Sequence, residues 1–154
     1  MFNVTPPGEE PVDRRPWSRR LWRSVTFRNP SPRRVHPPIA GFHHQAEVHG
    51  GRWLALSGQF GIRPDGYAPD GQIEQLGVAL ENVRQNLITA DLLVYDVVKL
   101  TIYLVGDADM DPLRAELAKW LDGHAPTLSI LFVAGLVGPS FRVQVDALAA
   151  APFR

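Results

Sequence analysis

The C-terminal third of the chain holds two strand-like runs on either side of a turn. The runs cover residues 127–133 and 141–148, are rich in β-branched and aromatic residues, and flank a turn marked by glycine and proline. In the second run, strand alternation places Arg142, Gln144 and Asp146 on one face and small apolar residues on the other. The apolar face must be buried. The polar face is either a solvated or subunit-facing surface, which is the usual case, or a binding site.

Two amphipathic segments upstream predict helices that pack on this sheet. Residues 73–87 carry apolar side chains at spacings of three and four, which make one stripe: Ile73, Leu76, Leu80, Val83 and Leu87. A strand over residues 97–105 follows, and the helix-to-strand connection is typical of a βαβ crossover. We expect a second helix to start at Asp111-Pro112, with Asp111 as the N-cap, and to end at Gly123.

The N-terminal half predicts three further strands. Residues 25–28 suggest a short strand, and residues 42–48 and 52–56 suggest a hairpin closed by Gly50 and Gly51. The run 53–56 is almost entirely apolar, so we expect a central strand covered on both faces. The element order is then β-β-β-α-β-α-β-β, an α+β fold with a single mixed sheet and two helices packed on one face. The other sheet face has no helix to cover it, which predicts self-association.

Overall composition excludes several function classes. At 154 residues the chain suits one domain, and a formal net charge of zero offers no general attraction to nucleic acid or membranes. No apolar run reaches the roughly 20 residues that a membrane span needs, and the N-terminus lacks the apolar core of a signal peptide. The absence of cysteine excludes disulfides and thiolate chemistry, and it fits a cytoplasmic location.

The first 35 residues are basic and rich in proline. They hold eight arginines against three acidic residues, a net charge of +5. We interpret residues 1–24 as an irregular extension and residues 25–154 as the folded domain. The extension is a solvated tail, a translated leader upstream of the true start, or a basic arm for RNA, an anionic lipid surface or an acidic partner. Because no nucleic-acid-binding fold motif accompanies the arginines, the first two interpretations have the stronger basis.

Motifs for the common catalytic chemistries are absent from the sequence. His43 and His44 are adjacent, so on a strand they would point to opposite faces and would not bind one metal ion together. The segment 57–61, Ser-Gly-Gln-Phe-Gly, has neither a phosphate-binding nor a nucleophile-elbow pattern, although Gly58 leaves backbone amides accessible. We therefore expect no metal site and no cofactor.

Several short segments, in their order and spacing, resemble the RidA (YjgF) family from about residue 25 to the C-terminus. They are Asn29-Pro30, Gly41-Phe42-His43-His44-Gln45, Leu56-Ser57-Gly58-Gln59, Leu80-Glu81-Asn82-Val83, residues 96–101 and residues 126–147. The resemblance implies a chorismate-mutase-like (YjgF-like) fold and a homotrimer whose sheets line a central interior, with three clefts between subunits. It also implies cofactor-independent hydrolysis of reactive enamines and imines to 2-ketoacids and ammonia.

Three polar positions of the family's deaminase site differ in this chain. The resemblance places the carboxylate-binding arginine at Leu128, the water-positioning glutamate at Gln144 and an early tyrosine at His43. Leucine cannot replace a guanidinium, and glutamine cannot act as a base. Leu128, Ile130 and Phe132 share one strand face and form an apolar wall. We therefore expect weak or no activity on 2-iminopropanoate-type acids.

These substitutions define the candidate site. We predict that His43 and Gln144 are its catalytic groups. The expected substrate-binding residues are Gly58, Leu128, Ile130, Phe132 and Arg142, with Arg142 as the replacement cation. The leading hypothesis is a hydrolase of a small, less anionic imine, enamine or related carbonyl adduct. Two alternatives are a non-catalytic trimer that binds a small apolar metabolite, and an RNA-binding protein that uses the basic arm.

Overall fold

The strands and helices follow one another in the predicted order. The computed structural model describes residues 25–29, 31, 33–37 and 42–153. The elements are β1 (Val25–Arg28), β2 (Gln45–Val48), β3 (Arg52–Phe60), α1 (Gln72–Thr89), β4 (Val97–Val105), α2 (Met110–Leu121), β5 (Thr127–Val133) and β6 (Val143–Ala151). The predicted extension over residues 1–24 lies outside the described residues, as do Pro30 and Gly41 of the family-like segments.

Four strands form a mixed sheet in the order β3-β6-β4-β5. β6 is antiparallel to both β3 and β4, while β4 and β5 are parallel and are joined through α2. β1 and β2 form a separate antiparallel ribbon. The α+β fold with both helices on one sheet face is confirmed. Within the described residues, the strands divide into a four-stranded sheet and a two-stranded ribbon.

The two helices cover one face of the four-stranded sheet. Alternate residues of β4 and β6 are fully buried on that face: Leu100, Ile102, Leu104, Val143 and Val145. They pack against the fully buried stripe of α1: Leu76, Leu80, Val83 and Leu87. Burial stabilises the fold by about 1.5–3 kcal/mol for each large apolar side chain. The predicted periodicities of α1, β4 and β6 are confirmed, since they place these residues on facing surfaces.

The predicted hairpin between residues 42–48 and 52–56 is wrong. β2 pairs with β1, from Val25 beside Val48 to Arg28 beside Gln45, and β3 pairs with β6. The connection between β2 and β3 contains two glycines with positive φ, and a Cβ on Gly51 would collide with the carbonyl oxygen of Ala151. This close approach to the end of β6 requires glycine, and it carries the chain onto β6 instead of back along β2.

β3 is an edge strand, so the prediction of a central strand covered on both faces is also wrong. Leu54 and Leu56 pack against the core on the helix side. Trp53, on the other side, is 57% exposed. The central positions belong to β6 and β4, because β6 pairs along one edge with β3 and along the other with β4, and β4 pairs in turn with β5.

α2 begins two residues earlier than predicted. Its N-cap is Asp109, whose side chain accepts a hydrogen bond from the backbone nitrogen of Asp111 at 3.1 Å. The prediction of Asp111 as the cap is therefore wrong, although Pro112 does lie in the first turn, where its missing N–H costs nothing. Asp122 ends the helix in the left-handed conformation, directly before Gly123.

A buried amide holds the loop before β6 against α1. Gln75 is fully buried, and its Nε2 donates to the carbonyl oxygens of Pro69 and Ser140 at 2.6 and 2.8 Å. Its Oε1 accepts from the backbone nitrogen of Arg142 at 2.7 Å. A buried amide without partners would cost about 1–3 kcal/mol, so these bonds fix the point at which β6 starts. They thereby decide which sheet face Gln144 occupies.

Candidate functional site

A cleft of about 750 Å³ lies between α2 and the edge strand β5. One wall is a helical stripe formed by Met110, Arg114, Leu117 and Leu121, which recur at spacings of three and four. The opposite wall is formed by alternate residues of β5: Leu128, Ile130 and Phe132. These three therefore share one face, as the sequence predicted. The wall that they form is apolar.

His43 lies at one end of this cleft, with Phe42 and His44 beside it. Nδ1 of His43 is 2.6 Å from the carbonyl oxygen of Ala125. A carbonyl oxygen only accepts, so we assign the proton of the neutral ring to Nδ1. Nε2 is then the basic nitrogen. The backbone just before β5 thus holds the ring in an orientation and tautomer suited to proton transfer.

A second histidine packs close to His43 across an aromatic ring. The ring of Phe27 lies 5.1 Å from the ring of His43 and 5.6 Å from that of His124. Nε2 of His124 is 2.7 Å from the carbonyl oxygen of Val97. Burial lowers the pKa of His124, and the neighbouring His43 lowers it further, although the bond to Val97 acts in the opposite direction. Burial at this end of the cleft therefore favours the neutral imidazole of His124.

Gln144 lies on the opposite face of the sheet from the apolar wall. Leu128 is beside Leu100 on the helix side, whereas Gln144 is beside Tyr103 on the side without helices. Nε2 of Gln144 donates to Oδ1 of Asp146 at 3.0 Å. The negative charge of Asp146, together with a hydrogen bond to it, raises the pKa of the Tyr103 hydroxyl.

Gly58 belongs to this second group. A Cβ on Gly58 would collide with the side chain of Gln144, so the amide lies directly over the glycine backbone. Arg142 precedes β6 at the end of the sheet, and its guanidinium lies near Gly106, outside the cleft lining. The structure thus brings together His43, Leu128, Ile130 and Phe132 in the cleft, and Gly58 with Gln144 on the other face.

Arg114, His124 and Tyr103 lie in or beside these two groups but were not among the predicted site residues, and Asp146 was predicted only to share the polar face of β6. The stripe of α2 that contains Arg114 is visible in the sequence, but no sequence signal shows that this stripe faces a cleft. The adjacent histidines also differ from the prediction, because they precede β2 and line the same cleft. They bind different backbone carbonyls, His43 that of Ala125 and His44 that of His36.

The described residues contain neither a membrane-spanning helix nor a metal-binding cluster. No helix in this part of the chain is long and apolar enough to cross a membrane. Over the same residues, no three side chains of the metal-binding types are grouped closely enough to hold an ion.

Comparison with known proteins agrees with the fold. The matched segment contains both the cleft residues and the pair Gly58 and Gln144. The profile of the Endoribonuclease L-PSP family matches residues 34–151. Over 115 residues the chain is 31% identical to the 2-iminobutanoate/2-iminopropanoate deaminase of Mus musculus, a match that covers 73% of this chain and 84% of the relative.

Two solved structures extend the comparison. YyfB of Yersinia pestis, from the conserved Rid protein family, is 26% identical with a TM-score of 0.73, covering 82% of this chain and 98% of that one. TdcF of E. coli with bound serine is 28% identical with a TM-score of 0.60, covering 74% and 91%. The chain therefore belongs to the Endoribonuclease L-PSP family, which is the family of the Rid (YjgF) proteins. The resemblance seen in the sequence is confirmed.

Proposed function

We propose that this chain is a cofactor-independent hydrolase of the Rid type, which adds water to the C=N carbon of a small imine or of an enamine-derived imine. The name of the mouse relative supports this reaction class. The observation that carries the proposal is His43, which lines the cleft with its Nδ1 bound to the carbonyl oxygen of Ala125. Because leucine stands at position 128, we propose that short 2-imino acids are poor substrates.

His43 would act through Nε2. This nitrogen accepts a proton from water as the water oxygen bonds to the imine carbon. The imidazolium then returns the proton to the nitrogen atom of the neutral imine, which gives a carbinolamine. His43 next transfers the hydroxyl proton of the carbinolamine to this nitrogen, so that the C–N bond breaks as the C=O bond forms, and the carbonyl compound and ammonia leave. Each turnover consumes one water and releases one ammonia, so the balance requires neither an oxidant nor a cofactor.

A second copy of the chain would complete the site in this proposal. Gln144 and Gly58 lie on the face without helices, and that face also exposes Trp53, Leu131 and Leu148. Exposed apolar groups on one sheet face are typical of an interface. We propose a cytoplasmic homotrimer in which this face of one subunit meets the cleft of the next. Gln144 would then orient the substrate or water beside His43.

The first experiment measures ammonia release from 2-iminopropanoate, generated in situ. We expect little activity from the wild type and a gain from Leu128→Arg, because the guanidinium supplies a carboxylate partner at the cleft. Val137→Arg is the matched control, since it adds the same charge at a residue that is 84% exposed and outside the cleft lining. Wild-type activity equal to that of the mouse relative would contradict the substrate proposal.

A non-catalytic binder of a small apolar metabolite is the second candidate, and the apolar wall of β5 together with glutamine at position 144 favours it. His43→Ala distinguishes the two. The hydrolase predicts lost turnover with ligand affinity retained, and His49→Ala, outside the cleft lining, serves as the control. If no imine is hydrolysed by wild type or by Leu128→Arg, the binder is the better description.

A further inference from the structure

We infer that the natural ligand of the cleft is an elongated apolar molecule with a carboxylate at its far end, and that Arg114 binds this carboxylate. The inference rests on the proposed site, but it does not require that the site be catalytic. It assigns a binding residue and a ligand class to the end of the cleft that lies away from His43.

The charge of the cleft lining supports an anion. Arg114 contributes a permanent positive charge, and the other titratable side chains of the lining are histidines. Among the described residues that line the cleft, none is aspartate or glutamate. A carboxylate that enters this space therefore meets hydrogen-bond donors and no like charge.

Arg114 is available to such a ligand. Its Nη1 lies 3.6 Å from Oδ1 of Asp111, whose side chain is 93% exposed. An exposed ion pair one helical turn apart stabilises a protein by only about 0–1 kcal/mol. The side chain of Arg114 is itself 53% exposed, so this weak surface pair does not keep its guanidinium from a ligand carboxylate at that end of the cleft.

The two ends of the cleft are well separated. β4 leads into α2 at Met110, which brings Met110 and Arg114 to the end where Phe132 pairs with Leu104. The C-terminal end of α2 returns the chain to Leu128, close to His43. From Arg114 to Leu121, the last residue of α2, the helix advances roughly 10 Å at 1.5 Å per residue.

The body between the two ends must be apolar. Leu117 and Leu121 line one side, and Ile130 and Leu128 line the other. A short imino acid cannot contact His43 and Arg114 together, because its carboxylate is bonded directly to the reacting carbon. The volume of about 750 Å³ is in the range that takes ligands of drug size. The geometry therefore favours a carboxylate that is separated from the reacting carbon by an apolar body on the order of 10 Å.

Isothermal titration calorimetry on the full chain tests this inference with three probes: decanoate, its neutral analogue decanamide, and butanoate. We expect decanoate to bind at least about tenfold more tightly than decanamide, and butanoate to bind more weakly than either. Arg114→Gln should remove the preference for decanoate over decanamide and leave decanamide affinity unchanged. Lys119→Gln, on the same helix and outside the cleft lining, should retain the wild-type preference.

Equal affinities for decanoate and decanamide, no binding of decanoate, or an unchanged preference in Arg114→Gln would each overturn the inference. Circular dichroism of Arg114→Gln verifies that the variant is folded. Because calorimetry needs no turnover, a preference that depends on Arg114 supports the inference even if the ammonia assay is negative. Conversely, if the chain hydrolyses an imine but shows no preference for decanoate over decanamide, the proposed reaction stands and the inferred carboxylate ligand is wrong.

Discussion

The two faces of the four-stranded sheet differ in their chemistry and in whether helices pack over them. The helix face is apolar along β4, β5 and β6 and ends at the cleft, where imidazole rings meet the apolar wall. The face without helices carries the Gln144–Asp146 hydrogen bond and the hydroxyl of Tyr103, next to exposed apolar groups. One copy of the chain thus carries these two groups of residues on opposite faces of its own sheet.

This difference shows how strand alternation distributes a site. Neighbouring residues of a strand point to opposite faces, so residues grouped by motif need not meet in space. Leu128 and Gln144 were both predicted from the sequence to belong to one site, yet they lie on opposite faces of the sheet in one copy of the chain. If the site is a single one, as we propose, a second copy must bring its Gln144 to the cleft.

The largest expected effect concerns the covered face. Ile102 of β4 is fully buried on the helix face, so Ile102→Ala leaves a cavity and should lower the free energy of unfolding by about 2–5 kcal/mol. Leu131→Ala, on the other face at 42% exposure, should cost clearly less in the separated protomer. Urea denaturation followed by circular dichroism compares the two variants. Similar decreases in the free energy of unfolding for the two variants would mean that the two sheet faces are equally shielded from solvent.

The next effect concerns the proposed assembly. Leu131→Asp should leave the folded protomer intact but weaken self-association by roughly thirtyfold or more, because an interface would have to bury an unpaired carboxylate at a cost of about 2 kcal/mol or more. Sedimentation velocity over a range of concentrations measures the change. Val137→Asp is the control, as a highly exposed loop residue. If Leu131→Asp associates as strongly as the wild type, the face without helices is not the interface.

A smaller effect concerns the contact between Gly58 and Gln144. Gly58→Ala places a Cβ against the side chain of Gln144, so it should destabilise the fold by about 1–3 kcal/mol. The cost should be lower in a Gln144→Ala background, where the amide is absent. A double-mutant cycle in urea gives the coupling energy. Additive costs would show that the two residues do not share this space.

The smallest effect is the pH dependence of His124 at the cleft end. Burial lowers its pKa below the usual 6.5, so the unfolded chain binds a proton that the folded chain does not. The stability is therefore fully present above about pH 6.5 and is lost as the pH falls below that value. We expect the urea midpoint to drop more between about pH 7.5 and pH 5.5 in the wild type than in His124→Gln. An equal drop in both proteins would exclude this contribution.

Part of the cleft lining was predicted, because some of its residues follow local rules. The apolar wall of Leu128, Ile130 and Phe132 follows from alternation within one strand. Arg114 and His124 could not be assigned from sequence, since their relevance depends on α2 packing beside β5. Arg142 was assigned to the polar face by alternation. Its backbone N–H donates a hydrogen bond to Gln75 just before β6, and its guanidinium lies near Gly106.

The sequence alone determined the helices, most of the strands and the buried faces of α1, β4 and β6. These depend on periodicities of 3.6 and 2, which are local properties of the chain. Only the tertiary structure decided that β2 pairs with β1, that β3 is an edge, and that His43 and Gln144 lie on different sides of the sheet. Strand pairing is a competition between edges that are distant in sequence, and close contacts such as that of Gly51 with Ala151 decide it.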